Sequence, residues 1–301
     1  MTLKDIKLEQ RDDVIIGRFS AMASPCEVLI ETDDVKLAQH LVEQAAKESW
    51  RIEAKFSRYQ SNNIIHQINC AAGKTIQVDN ETARLLDFAN TCYQISEGLF
   101  DITSGVLRKA WVFDGSDNLP LQSEIDALMP LIGWQKVIWQ GPELTLLPDM
   151  EIDLGGIGKE YAVDSVLNSL IEKTDCALLV NFGGDLHANK PKSGNRPWVT
   201  GMVTGIDSDS VQRSEARTIE LHRGALATSG DAFRFLQKDG KRYSHVLNPK
   251  TGWPVAQAAR SVTVAAANCI DAGILSTLAL LQGKKAEEFL AAQEVKHWVM
   301  R

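Results

Sequence analysis

The sequence predicts an α+β fold built as one unit over residues 1–301, and three observations predict it. Short runs rich in Val, Ile and Leu mingle with helical runs without the regular strand–helix–strand beat of a doubly wound sheet. No Pro/Gly/Ser linker, low-complexity tract or short-period repeat divides the 301 residues. The 44% hydrophobic content is enough for a large core.

The elements follow in order. Residues 13–19 (DVIIGRF) and 25–31 (PCEVLIE) read as strands joined by the turn AMAS at 21–24. Residues 35–56 read as a long helix, with Leu37, Leu41, Ala45, Ile52 and Phe56 on one face. A second helix spans 81–97, opened by Asn80 as cap and closed by Gly98. Residues 104–150 are mixed, with VIW and LTLL as short strands. A helix over about 158–172 follows a glycine-dense turn, and CALLVNF (176–182) is a strand ending in GGD. WVTGMVTG, RTIELH and SVTVAAA (261–267) read as strands, ILSTLALLQ and KKAEEFLAAQ as helices, and HWVM as a closing strand.

Charge narrows the partners. The formal net charge is −7 and no basic run of five or more residues occurs, which argues against nucleic acid or an anionic membrane surface as a partner. No stretch has the length of a transmembrane segment or signal peptide, so the chain as it stands reads as cytoplasmic, or as exported if a leader has been trimmed. The five cysteines, Cys26, Cys70, Cys92, Cys176 and Cys269, are odd in number, widely spaced and without a C-x-x-C, and read as small buried residues.

Four polar turns carry the chemistry. In DLGGIGKEYAVD (153–164), Gly155, Gly156 and Gly158 lead into a helix with Lys159 at the junction. Backbone N–H groups, a helix N-terminus and a mobile ammonium suit a phosphate. A ligand-free strand-to-helix turn would read the same way. Neither common nucleotide fingerprint is met. Walker A needs Gly where Asp153 stands and Ser or Thr where Glu160 stands, and the Rossmann pattern needs Gly or Ala at Tyr161. A second turn is Gly183-Gly184-Asp185. A third, ATSGDAFRF (227–235), offers Thr228, Ser229, Gly230 and Asp231, or a plain helix cap. The fourth, YSHVLNPKTGWPV (243–255), places His245 beside a rigid turn, where a general base would be held in position.

In this order the segments resemble the ApbE family, the FAD:protein FMN transferases. The matching stretches are DLGGIGKEYAVD (153–164), NFGGD (181–185), ATSGD (227–231), YSHVLNPKTGWPV (243–255), GLFDITSGVL (98–107), FSRYQSNNIIHQIN (56–69) and AMAS (21–24). The resemblance implies a mixed sheet-and-helix fold with a central cleft, FAD as substrate and Mg²⁺ as cofactor. It implies transfer of FMN from FAD to a threonine or serine hydroxyl of an acceptor flavoprotein, with release of AMP. His245 matches the position of the general base. Gly158, through its carbonyl, and Thr277 match metal positions. Met22, Gly155, Gly156, Gly158, Lys159, Gly183, Gly184, Asp185, Thr228, Ser229 and Gly230 are expected to bind the flavin nucleotide. Phe100 and Tyr243 are further lining candidates, and Trp253, after Gly252 in an expected exposed turn, is a candidate for stacking or acceptor contact.

This sequence departs from the family's late Ala-Asp-Ala-x-Ala-Thr-Ala motif. Aligned on Thr277 and Gly283, Gly273 stands where the motif has its metal-binding Asp. Asp271 lies two residues earlier, and residues two apart in a helix point about 200° apart. Asp271 reaches the metal only if the backbone bulges; Asp185 and Asp231 are alternatives. Glu160 stands where the family often has Gly, Asn248 where it has Asp, and Met22-Ala23-Ser24 replaces Met-Gly-Thr. These changes leave two other readings open: a flavin-binding relative without transferase activity, and an FAD pyrophosphatase in which water replaces the acceptor hydroxyl.

Overall fold

The computed structural model describes residues 6–202, 217–230 and 235–301. The chain opens with β1 (Lys7–Arg11), β2 (Val14–Ala21), β3 (Ser24–Glu31), the long helix α1 (Val35–Phe56), α2 (Ile64–Asn69), β4 (Ile76–Gln77) and α3 (Asn80–Ile95). A 3₁₀ segment at Ile102–Lys109 precedes α4 (Gln122–Leu128), β5 (Ile138–Gln140), β6 (Glu143–Thr145) and α5 (Gly158–Ile171). Then come β7 (Leu178–Phe182), β8 (Asp185–Ala188), β9 (Trp198–Met202), β10 (Arg217–Leu221), β11 (Gly224–Gly230), β12 (Phe235–Lys238) and β13 (Lys241–Ser244). The chain closes with β14 (Ser261–Ala266), α6 (Cys269–Leu281), α7 (Ala286–Ala292) and β15 (His297–Met300).

An eight-stranded sheet in the order β1-β2-β3-β7-β8-β11-β14-β15 carries the fold. Its neighbouring strands pair antiparallel throughout. That is the α+β arrangement the irregular element order predicts. One apolar core runs from Ile15 to Leu281, joining β2, β3 and β7 to α1, α3, α5 and α6. Helix α1 buries Ala38, Leu41, Val42, Ala45, Ala46, Ile52 and Phe56 along one stripe, and Asp34 caps its start by accepting from Lys36 N and Leu37 N.

Several sequence readings are corrected in detail. Asp79, not Asn80, caps α3, because its carboxylate accepts from Glu81 N and Thr82 N. The apolar helix starts at Cys269 rather than Ile274, capped by Asn268. The stretch around Ala227–Gly230 is strand β11, not a helix cap. KKAEEFLAAQ opens as a 3₁₀ turn before α7. The last residues of WVTGMVTG and Asp231 lie outside the described residues. Of the five cysteines, Cys26, Cys92 and Cys269 are buried, Cys176 is half-buried and Cys70 is exposed, and all are free thiols.

Two polar anchors hold the helices that frame the site. The first is Glu81, at the start of α3. It takes Arg51 Nη2 at 2.7 Å and Lys55 Nζ at 2.6 Å from α1, and Tyr161 Oη at 2.7 Å from α5. The Arg51 guanidinium above all holds the Glu81 carboxyl down from its usual 4.5 to about 2. A depressed carboxylate contributes stability above its unfolded pKa and loses it as pH falls through the folded one. The stability contributed by this network is therefore expected to be complete above about pH 4.5 and lost by about pH 2. Thermal unfolding of wild type and Glu81→Gln across that range checks it: the variant's midpoint should fall less steeply with acid.

The second anchor is Asp164, buried in α5. It accepts from Cys269 N at 2.8 Å and Ile270 N at 2.9 Å, and so caps α6 from a neighbouring helix. The His187 imidazole, protonated at Nδ1, donates to the same carboxylate at 2.6 Å. Asp164→Ala would leave these donors without a partner, and is expected to destabilise the protein by about 2–3 kcal/mol in urea unfolding.

Candidate functional site

The glycine-dense turn closes on its own backbone. Ile157 N and Gly158 N both donate to Leu154 O, at 3.0 and 2.8 Å, and Gly155 N donates to Asp153 Oδ1. Gly155 and Gly156 are exposed, Gly156 lying over the Phe100 ring. Helix α5 then starts at Gly158, with no side chain capping it. Its first turn presents Lys159 and Glu160 toward β8.

Lys159 Nζ forms an ion pair with Asp185 Oδ2 at 2.7 Å. Asp185 is buried at the start of β8, and its Oδ1 accepts from Thr228 N of β11 at 2.9 Å. Burial works against the Lys159 charge, but Asp185 and then Glu160 outweigh it, so the ammonium is held more firmly than usual. Glu160 has the opposite balance. Burial first, and then the negative charge of Asp185, raises its carboxyl well above the carboxylate range. Glu160 Oε2 is buried without a hydrogen-bond partner, whereas Asp185 Oδ2 has the Lys159 ammonium.

The neighbouring turns converge here. Gly183 and Gly184 adopt φ of +62° and +103°, the left-handed region that glycine enters without strain. Gly184 N donates to Asn181 Oδ1, and Gly183 faces Ser24 Oγ and the Lys159 ammonium. Ser24 ends the two-residue β2–β3 turn, where Met22 and Ala23 take φ of +51° and +55°. Gly183 N donates to Pro25 O, which ties that hairpin to the GGD turn. On the other side, Ser229 Oγ of β11 contacts Ser276 Oγ at 2.8 Å and Thr277 Oγ1 at 2.9 Å on α6. Ser276 Oγ also donates to Gly273 O.

Gly273 lies in the middle of this contact. A Cβ placed on it would stand 2.5 Å from Glu160 Cγ. The side chain that fills the space beside Gly273 therefore comes from α5. Asp271 is directed elsewhere. Its Oδ2 accepts from Asn268 Nδ2 at 2.8 Å within the α6 cap, and its charge is felt at the Cys92 thiol of α3.

The structure thus brings together Lys159, Gly183, Asp185, Thr228, Ser229 and Thr277 from the predicted residues, with Met22 in the adjoining turn. Gly230 pairs with Ser261, where β11 and β14 run close together. Thr228 is exposed and its hydroxyl meets Thr263 Oγ1 at 2.8 Å. His245 stands after β13, half-buried, edge-on to Phe113 at 6.3 Å between ring centroids. Trp253 is not an exposed turn residue. It packs edge-on to Trp111 at 5.2 Å and donates to Gln122 Oε1. Tyr243 joins the same aromatic cluster. Two surface hollows, one lined by Asn69, Lys109 and Glu151 and the other by Tyr93, Gln135 and Lys250, have none of Lys159, Gly183, Asp185, Thr228, Ser229 and Thr277 in their walls.

Among the described residues, no group of three or more His, Cys, Asp and Glu side chains is placed to hold a metal. Mg²⁺ does not require one. It is held by one or two carboxylates together with hydroxyls, waters and substrate phosphates. The orphaned oxygen of Glu160, the Asp185 carboxylate and the Thr277 hydroxyl are a hard-oxygen set of that kind.

Comparison with known proteins decides the family: the ApbE family model matches residues 22–299. The chain belongs to the ApbE family. A Vibrio cholerae FAD:protein FMN transferase is 28% identical over 258 residues, 84% of this chain and 75% of that protein. An Escherichia coli FAD:protein FMN transferase is 27% identical over 267 residues, 85% of this chain and 75% of that one. The crystal structure of the Thermotoga maritima ApbE protein superposes with a TM-score of 0.84 at 28% identity, covering 95% of this chain and 94% of that one. Among the ApbE motif residues, sequence reasoning missed the place of Glu160. Charge and composition set it against a phosphate site, and only the absence of a side chain at position 273 hinted that it had a space to fill.

Proposed function

We propose that this protein is an FAD:protein FMN transferase acting as one domain over residues 1–301. It would move FMN from FAD to a Thr or Ser hydroxyl of an acceptor flavoprotein and release AMP. The observation that carries this reading is the convergence of Lys159, Asp185, Glu160, Ser229 and Thr277 on the GGD turn, in a chain of the ApbE family.

The chemistry is attack of the acceptor hydroxyl oxygen on the flavin-side phosphorus of FAD. A new P–O ester bond forms, the anhydride bond breaks, and AMP leaves with its phosphate oxygen. Such a reaction is catalysed mainly by positioning and by spreading negative charge. Lys159 supplies a half-buried cation fixed by Asp185 for the phosphates, while the N–H groups of Gly155, Ile157, Gly158, Gly183 and Gly184 are taken by neighbouring protein oxygens and hold the turns in shape. Mg²⁺, when bound, would neutralise charge on the phosphate oxygens; Glu160, Asp185, Thr277 and the Gly158 carbonyl are the groups that would hold it. His245 takes the acceptor proton in this reading. Met22 and Phe100 line the flavin side, beside the glycine turns.

The test is incubation with FAD, Mg²⁺ and an acceptor flavoprotein, wild type or with its acceptor Thr changed to Ala, followed by denaturing electrophoresis. A fluorescent flavin band on the wild-type acceptor alone is expected. Free FMN and AMP with no labelled band on either acceptor would refute transfer.

A further inference from the structure

We infer that Glu160 supplies a carboxylate of a divalent-cation site, with Asp185 and the Thr277 hydroxyl, and that Gly273 exists to make room for it. This inference deepens the transferase reading and rests on it for the identity of the bound phosphates.

Four observations carry it. First, Glu160 Oε2 is buried without a hydrogen-bond donor, which proteins rarely leave in place without a missing ligand, and Asp185 Oδ2 has only the Lys159 ammonium. Second, two acidic side chains, Glu160 and Asp185, stand here with a single ammonium, Lys159, which is taken by Asp185. A pyrophosphate brought to the same place adds further negative charge, so the site is short of cationic charge whenever its substrate is bound. Third, Gly273 sits inside helix α6, where glycine costs about 1 kcal/mol relative to alanine. The side chain it forgoes would collide with Glu160 Cγ, so the glycine serves the glutamate. Fourth, Gly273 and Thr277 are one helical turn apart on the same face of α6, and Thr277 Oγ1 is already in a hydroxyl cluster with Ser229 and Ser276. The space beside Gly273 is thus bounded by carboxylate and hydroxyl oxygens, the donor set a hard divalent cation takes. Asp271 does not join it, being paired with Asn268.

The site has in effect exchanged positions. The carboxylate expected on α6 at 273 comes instead from α5 at 160. Both departures noted in the sequence, a glycine where Asp is expected and a glutamate where Gly is expected, are then one compensated change.

Mn²⁺, titrated into the protein with FAD present and acceptor absent, tests this through the EPR signal of the free ion. Glu160→Gln keeps the shape and removes the charge. It is expected to weaken Mn²⁺ binding by about tenfold or more, with metal-free FAD binding, read by flavin fluorescence, no weaker than in wild type. Asp271→Asn is expected to bind Mn²⁺ like wild type. The double variant Glu160→Gly/Gly273→Asp, which returns the carboxylate to α6, is expected to recover the binding that Glu160→Gly alone loses. Wild-type Mn²⁺ affinity in Glu160→Gln, loss in Asp271→Asn instead, or no Mn²⁺ binding by wild type would each overturn the inference. If wild type binds no FAD, the transferase reading fails. Mn²⁺ titrated without FAD then still reads the Glu160–Asp185 pair.

Discussion

Lys159→Met is expected to reduce transfer of FMN about 10²–10³-fold while the protein remains folded. Lys159 is a half-buried cation beside the GGD turn, and Asp185 and Glu160 hold it charged against the effect of burial. Methionine matches the length of the aliphatic stem but carries no charge. A preorganised cation in a water-poor site is worth far more to a phosphoryl transition state than the same charge in water. The loss should fall on kcat more than on the apparent KM for FAD, because negative charge on the bridging oxygen grows as AMP departs. Steady-state rates over a range of FAD concentrations check this. A change confined to KM would place Lys159 in ground-state binding alone. The same substitution leaves Glu160 and Asp185 facing each other without a counter-charge. The Glu160 carboxyl, which burial and Asp185 already raise to about 8, should then hold its proton to higher pH, and the unfolding midpoint should fall as pH rises through that range.

Gly273→Ala is expected to change sign with its partner. In the wild-type background the new methyl meets Glu160 Cγ at 2.5 Å, a mid-chain atom that cannot swing away without moving the whole carboxylate. The expected cost is about 1–3 kcal/mol, the usual range for overpacking. In a Glu160→Gly background the space is vacant, and alanine should stabilise α6 by about 1 kcal/mol through helix propensity. Urea unfolding of the four proteins forms a double-mutant cycle whose coupling energy reads the contact directly. Additive effects would mean that Glu160 does not occupy the space beside Gly273. By the same reasoning Gly273→Asp alone should not rebuild a metal site. It adds a third carboxylate to a space already filled by Glu160.

Much of this arrangement was legible in the sequence. The long helix over 35–56, the helix after Gly158, the strand before GGD and the closing HWVM strand stand where periodicity placed them, because each has a strongly apolar stripe or run. The boundaries that moved are those set by caps. Asp79 and Asn80 are both good cap residues, and the choice between them depends on which carbonyl and N–H groups the preceding turn presents. Ala227–Gly230 is strand because β14 pairs along it and β8 pairs with Gly224–Leu226 just before it, a long-range pairing that no local pattern encodes. The convergence of Lys159, Asp185, Ser229 and Thr277 follows from the resemblance to ApbE and not from spacing. The place of Glu160 was hidden for a more particular reason. Its role depends on an absence 113 residues away at Gly273, and a glycine in an apolar helix looks like nothing in one dimension.

The most direct measurement of the central claim is a stoichiometry. The protein is incubated with FAD, Mg²⁺ and an acceptor flavoprotein; AMP is quantified by chromatography and acceptor-bound FMN by intact mass. The account predicts one AMP released per FMN attached, with both falling together in Lys159→Met and Glu160→Gln. AMP accumulating while the acceptor keeps its original mass would contradict it, because the anhydride bond would then be broken by water instead of a protein hydroxyl.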